Sequence, residues 1–482
     1  MVLTSSPLLA SFVVPLGIAA SLLAALLLYN VLAPSKVSGP YTKLYPDYKG
    51  FTHPPSEGMD FDLRKVEEPK YRPFKFGAYQ VTMGIRTIPQ QDWLHIHCSY
   101  PSYIRLRQAR HEIYKEHSVR TLPSASKRNE LAALEVARAI AGFLTNRYPS
   151  MFEVTPKGAE RSSDGWDIRG VRRLAQPHLG LEERQWTLLD LGRGGDDPMK
   201  VAGELLPDDL AIMMADEEGD TKGQYRFVAG SVCTPGFWRL DEKLGLTLQQ
   251  IHIKGKVAQY ETKLMHPMDR WFSKLNPNSL AERNNYFFQV FNPRDIDPKE
   301  AIKSLHDGTF SPSVLKVDDP HNMSTRGHEG HEAVRDDTEL SWSHTTNGPE
   351  NLFDQSLKTS VPVEGVAPPD PPAPARGPQD VAMRSERQSL RRFPRSGAVL
   401  FTVRTYLTPI TTMAEEKGVP GRLASAMRSW PDDIAWYKAA ELYRDIVLPY
   451  LDEKHREQVQ KGWVKEGEDE EEVLKARRAY PL

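Results

Sequence analysis

A long polar stretch splits the folding material of this chain in two, and any fold must reunite the halves. From about Ser304 to Asp380 the sequence carries five of the 14 histidines and seven prolines between Pro362 and Pro378. Such a segment has too little apolar surface to offset the entropy of ordering its backbone. It reads as a largely disordered insert over 305–380, with one aromatic island, Glu339 to Phe353, able to pack back. The irregular histidine spacing there suits a solvated loop better than a metal tract. The predicted division is therefore a short tail (1–6), an apolar segment (7–33), an extended linker (34–72), the first part of a domain (73–304), the insert, the second part (381–455) and a charged tail (456–482).

Composition narrows the function classes. Hydrophobic residues make up 39% of the 482, enough for a sizeable core, and the net charge is -2. No overall field draws the chain to nucleic acid, so no such partner is expected. The two cysteines, Cys98 and Cys233, lack the CxxC spacing of a thiolate metal site. The run PLLASFVVPLGIAASLLAALLLYNV from Pro7 is free of charge for about 25 residues, the length that spans a bilayer. It predicts one transmembrane helix over 7–33 and a single-pass membrane protein. Lys36 and Lys43 follow the run and no basic residue precedes it, which puts the soluble domain in the cytosol. Asn322 opens a sequon that matters only for a lumenal domain.

Within the first part, SASKRNELAALEVARAIAGFL places Leu131, Leu134, Ile140 and Leu144 on one helical stripe. Tyr225 to Cys233 and Asn284 to Phe291 are β-branched and aromatic runs of strand length. Between them LDEKLGLTLQQIH predicts a helix opening near Asp241. In the second part Val399, Phe401 and Val403 alternate with their neighbours as in a central strand. From Gly421 to Leu448 the spacing predicts two helices, interrupted by Pro431 and closed by Pro449.

Two segments resemble a known family. CTPGFWRLDEKLGLTLQQIH (233–252) is similar to the haem-dependent oxidative N-demethylase alpha-subunit-like proteins, with their Pro-x-x-Trp turn, Lys-Leu-Gly step and Ile-His pair. RSERQSLRRFPRSGAVLFTVRTYL (from Arg384) resembles that family's Arg-x-Glu-Arg-Gln-x-Leu-x-Arg-x-Pro segment. ERNNYFFQVF (from Glu282) resembles its Arg-x-Asn-Trp segment, although Tyr286 stands after Asn285 where the pattern has tryptophan. With DWLHI around Trp93, the likeness covers roughly 75–300 and 380–450, outside the anchor and the insert.

The resemblance implies an α+β, PAS-like haem-binding domain with flanking helices behind the transmembrane helix. It also implies haem b, and O2-dependent removal of an N-methyl group from a small amine. Electrons would come from an external reductase, since the chain has no flavin fingerprint and too few cysteines for an iron-sulfur cluster. His252, at a helix end before Gly255, is the implied axial ligand of the iron. Arg283 and Arg387 are implied clamps for propionate or substrate, and Glu386, Arg387, Gln388 and Asn284 the implied catalytic polar groups. The same residues suit two other readings, a haem or small-molecule sensor without catalysis and a haem-free tethered scaffold. Three further signals are weaker. His95 and His97 share one face of an expected strand, as non-haem metal ligands do, but with only Asp92 nearby. Gly192-Arg193-Gly194-Gly195 lacks a phosphate-loop ending and reads as a turn. Ser231 and Cys233 show no nucleophile-elbow spacing.

Overall fold

In a computed structural model the described residues are 45, 47–157, 165–234, 238, 240–290, 353–354, 359–360 and 374–464. The strands are β1 (Arg86–Ile88), β2 (Val119–Thr121), β3 (Phe152–Val154), β4 (Gly170–Arg173), β5 (Arg184–Thr187), β6 (Asp209–Ala215), β7 (Tyr225–Ser231) and β8 (Leu280–Val290). After them come the two-residue pair β9 (Phe353–Asp354) and β10 (Thr359–Ser360), then β11 (Val381–Arg392) and β12 (Val399–Pro409). Seven form an antiparallel sheet in the order β1-β8-β11-β12-β6-β7-β2, and β3-β4-β5 form a second sheet. The helices include α1 (Tyr100–Tyr114), α2 (Arg128–Arg147), α3 (Pro198–Leu205), α4 (Leu240–Lys243), α5 (Leu248–Lys254) and α6 (Met265–Lys274). Beyond β12 lie α7 (Ile410–Met413), α8 (Val419–Arg428), α9 (Asp432–Tyr437) and α10 (Arg444–Gln460).

The long β11 joins the two halves of the chain. It pairs along its length with β8 from the first half and with β12 from the second. Because side chains alternate across a pleated strand, directly paired residues share a face. One face carries Ala281, Arg283, Glu386, Gln388, Leu390 and Phe401, and packs under α4 to α6 through Leu240, Leu248, Met268 and Phe272. The other carries Asn284, Tyr286, Phe288, Met383 and Arg387, and packs on the C-terminal helices through Leu423, Met427, Trp430 and Val447. Residues 47–72, expected as an extended linker, hold one 3-10 turn at Leu63–Lys65 and bury Tyr48, Phe51, Leu63 and Tyr71. Pro449 lies inside α10 rather than closing the preceding pattern, so the helix runs through it to Gln460.

The α+β class holds, and two expectations need correction. No helix among the described residues is long and apolar enough to cross a membrane. The longest, α2, carries Arg128, Glu130, Glu135, Arg138 and Arg147. The transmembrane helix and the single-pass membrane localisation with a cytosolic domain are thus not supported, and residues 7–33 themselves lie outside the described residues. Nor is a PAS-like arrangement shown. Val381–Arg392, rich in arginine and not expected as a strand, is a strand with neighbours on both sides, and the result is a seven-stranded sheet with a second, three-stranded one.

Candidate haem site

His252 sits in the last turn of α5, whose first turn is fixed by a reciprocal capping box between Thr247 and Gln250. Gly255 closes the helix by donating its N–H to Ile251 O. The imidazole Nδ1 lies 2.7 Å from the Leu248 carbonyl oxygen, so Nδ1 carries the proton and donates it. Burial, with lesser contributions from Lys243 and Arg283, lowers the pKa of the ring to about 4, leaving it neutral at ordinary pH. Tyr260 stacks on it with centroids 4.6 Å apart. Among the described residues nothing hydrogen-bonds Nε2, whose lone pair is therefore available. A metal-ligating histidine needs this arrangement, with one nitrogen held by a carbonyl and the other open.

The sheet, α4 and the end of α9 supply the charges around Glu386. Glu386 Oε1 accepts from Arg384 Nε at 3.1 Å and its Oε2 accepts from Gln388 Nε2 at 2.8 Å. Arg384 also donates to Thr405 Oγ1 (2.8 Å) and to the Thr234 carbonyl. Arg283 makes no hydrogen bond or ion pair among the described residues, and its Nε is buried without a partner. Burial lowers its pKa, against the pull of Glu386. Lys243 lies over the Trp238 ring at 4.2 Å, and burial lowers its pKa to about 8. Lys438 is buried in a cage of Tyr286, Phe287 and Trp430 and donates to Tyr286 O at 2.6 Å; burial lowers its pKa to about 7. Arg283, Lys243 and Lys438 all respond to the Glu386 charge, so one carboxylate faces several cations.

The structure thus brings His252, Arg283, Glu386 and Gln388 to one side of the sheet. It turns Asn284 and Arg387 to the other, because they pair directly at adjacent register positions. The Arg387 guanidinium is fully engaged there, with Glu282 at 2.6 Å, the Trp93 carbonyl at 3.0 Å and the Asp92 carbonyl. Sequence reasoning did not single out Lys243, Arg384 or Lys438. The first two lay inside the quoted segments, while Lys438 is brought in only by the packing of α9.

The other signals resolve as structure. His95 shares a hydrogen bond with the Asp92 carbonyl, His97 with Tyr406 Oη, and the two rings stack off any strand. Among the described residues no group of three or more His, Cys, Asp or Glu could hold a metal ion. Gly192, Gly194 and Gly195 all take positive φ in a turn. Ser231 Oγ shares a hydrogen bond with His111 Nε2 at 2.9 Å, and Glu204 lies 3.6 Å from Nδ1, but Ser231 is 0% exposed and Arg107 also donates to its hydroxyl. That triad-like set is sealed in the core.

Among known families, the model described as haem-dependent oxidative N-demethylase, alpha subunit-like, matches residues 84–326 and 334–448. Both halves of β11's sheet and the whole of α5 fall within the match.

Proposed function

The chain belongs to the haem-dependent oxidative N-demethylase alpha subunit-like family, and from that premise we propose that it binds haem b through His252 and oxidatively demethylates a small amine. The observation that carries the reading is an imidazole with an open Nε2 on the same side of the sheet as Arg283, whose Nε is buried without a partner among the described residues and whose charge the ring senses. Haem needs one fixed nitrogen donor, an apolar slot and cations for its two propionates. Ile251, Val257, Trp238 and Met83 are partly buried hydrophobics packed against the apolar cluster under α4 to α6, and Arg283 and Lys243 supply cations that form no ion pair among the described residues, although both sense Glu386. A buried unpaired charge is costly. Two carboxylates arriving with the ligand would relieve that cost.

When bound, haem supplies the oxidising chemistry. Overall, an N-methyl amine, dioxygen, two electrons and two protons give the demethylated amine, formaldehyde and water, with the electrons from a separate reductase. The chain's own residues have definable tasks. Leu248 O holds the His252 ring in one tautomer, and Tyr260 fixes its plane. Arg384 and Gln388 orient Glu386, a carboxylate positioned to accept a proton or to hold an ammonium on this face.

The test is an absorption spectrum of the purified chain with one equivalent of haem, oxidised and then dithionite-reduced. A Soret band is expected, lost in His252→Ala while far-ultraviolet circular dichroism stays near wild type. An unchanged band in that variant would remove His252 as the ligand. Formaldehyde release from methylated amines, dependent on O2 and a reductase, then tests the reaction itself.

A further inference from the structure

We propose that the sheet face turned away from His252 holds a second ligand site, formed by Asp208, Arg404, Asn284 and Ser385, whose occupant is a small zwitterion carrying both an ammonium and a carboxylate. The site does not rest on the haem reading. Asn284, Arg387 and Arg404 pair directly across β8, β11 and β12, so their side chains form one row. Asp208, one residue before β6, ends that row, since Asp209 pairs with Val403. Ser385 stands in the next row, between Tyr286 and Tyr406.

Three of these groups are buried, Asn284 is half-buried, and their polar atoms are unmet. Asp208, Arg404 and Ser385 are 2%, 1% and 0% exposed. Among the described residues, Asp208 Oδ2, Arg404 Nε and Nη1, Ser385 Oγ and both amide atoms of Asn284 have no hydrogen-bond partner. Within the same set the Asp208 carboxylate makes no hydrogen bond or ion pair at all. Burial raises its pKa to about 6, although Arg404, Arg387 and Arg107 pull it down. Native interiors pair nearly all such groups, and each one left unmet is destabilising.

The charges define the guest. Arg404 and Asp208 sense each other's charge yet form no ion pair. Arg404 forms an ion pair on its far side, where Nη2 donates to Glu68 (3.0 Å) and also to Ser99 (2.8 Å), and its guanidinium lies 4.0 Å over the Tyr103 ring, so Nε and Nη1 are the atoms left unmet. The unmet N–H groups of Arg404 and the unmet Asp208 carboxylate thus stand side by side in one buried row, donors next to an acceptor of opposite charge. A carboxylate meets the free N–H groups of Arg404 and the Asn284 amide, and an ammonium meets Asp208, whose charge reaches Tyr71. Such pairs are strong in a low-dielectric interior. Water alone would satisfy the hydrogen bonds but would not supply a cation to Asp208, which has no ion pair among the described residues.

The experiment is equilibrium dialysis of the full chain against radiolabelled glycine and its mono-, di- and trimethyl derivatives, with dimethylammonium and acetate as single-charge controls. At least one zwitterion should bind roughly tenfold or more tightly than either control, and Asp208→Asn should abolish that preference. Asn284→Ala, which breaks no side-chain hydrogen bond among the described residues, should weaken binding at least about threefold and serves if the buried-charge variant does not fold. His252→Ala should leave binding intact, which separates this site from the haem reading. Equal binding of all probes, binding of none, or indifference to Asp208→Asn or Asn284→Ala in a folded protein would each overturn the site.

Discussion

Asp209→Asn should be among the most damaging conservative changes in this fold. The Asp209 carboxylate, 1% exposed, lies 2.7 Å from Arg107 Nη1. It also accepts from the backbone N–H of Cys233 (2.6 Å) and from Thr234 N (2.9 Å) and Oγ1 (3.2 Å). Asparagine keeps the shape but brings an NH2 group to face donors and removes the carboxylate bonded to Arg107, which is itself 0% exposed. Breaking one partner of a buried ion pair typically costs about 3–5 kcal/mol. Loss of acceptors for backbone N–H groups adds about 1 kcal/mol or more. Urea unfolding of the haem-free chain, followed by circular dichroism, should show a fall in the midpoint at unchanged slope equivalent to about 4 kcal/mol. Arg107→Met in the same background should recover part of the loss, because the stranded charge goes with it. The damage should also reach the haem face, since Thr234 O is held by Arg384, which in turn holds Glu386. A loss below about 1 kcal/mol, or a double variant no better than Asp209→Asn, would refute the assignment of this pair as the anchor of the turn.

Other expectations follow from single contacts. The folded pKa of His252 is lowered from 6.5 to about 4, so between these values the unfolded chain binds a proton that the folded chain does not, and stability falls as pH drops through that window. In the haem-free chain, His252→Gln should reduce the acid slope of stability by about one proton, ~1.4 kcal/mol per pH unit at most; an unaltered slope would show the ring to be freely titratable. His95, lowered to about 3 by burial and by Arg387, adds to the wild-type slope with the same sign, while Asp208, raised to about 6, opposes it. Gly165→Ala places a methyl 2.6 Å from the Arg138 carbonyl at a φ of +74°, and should cost about 2 kcal/mol or more in a thermal melt. A melting temperature equal to wild type would mean that this loop does not pack closely on α2.

How much of this could be read from the sequence depended on whether burial and periodicity agreed. They agree in α2, where the apolar stripe lies in the Arg128–Arg147 helix, and in β12, the fourth of seven strands, where Val399, Phe401 and Val403 share a face. The place of His252 at a helix end was legible too, since the glycine after the helix marks that end. Burial and periodicity fail at Asp208, Lys438 and Arg404, which are made into neighbours of the sites by register and by helix packing over long sequence separations. No local pattern marks such residues. The division of Arg283 from Asn284, and of Glu386 from Arg387, is a matter of parity along a strand. It becomes visible once those segments are recognised as paired strands rather than as loops leading into them.

The strand that escaped recognition is also the one both sites need. VAMRSERQSLRR has no apolar alternation, yet every residue of β11 is buried. A central strand of this composition is tolerated because nearly every charge in it is met. Arg384 is held by Glu386, Arg387 by Glu282, and Arg392 by Tyr225 and the Gly397 carbonyl, while Arg391 lies between the Phe51 and Trp93 rings at 3.8 and 4.2 Å. Sequences depart from the hydrophobic rule where function requires it. Here the departure falls on both faces of one strand, with Glu386 and Gln388 turned toward His252 and Ser385 and Arg387 toward Asp208. Two polar sites are thus backed onto a single pleat, so a change that slips the register of β11 by one residue would exchange their side chains and disable both at once.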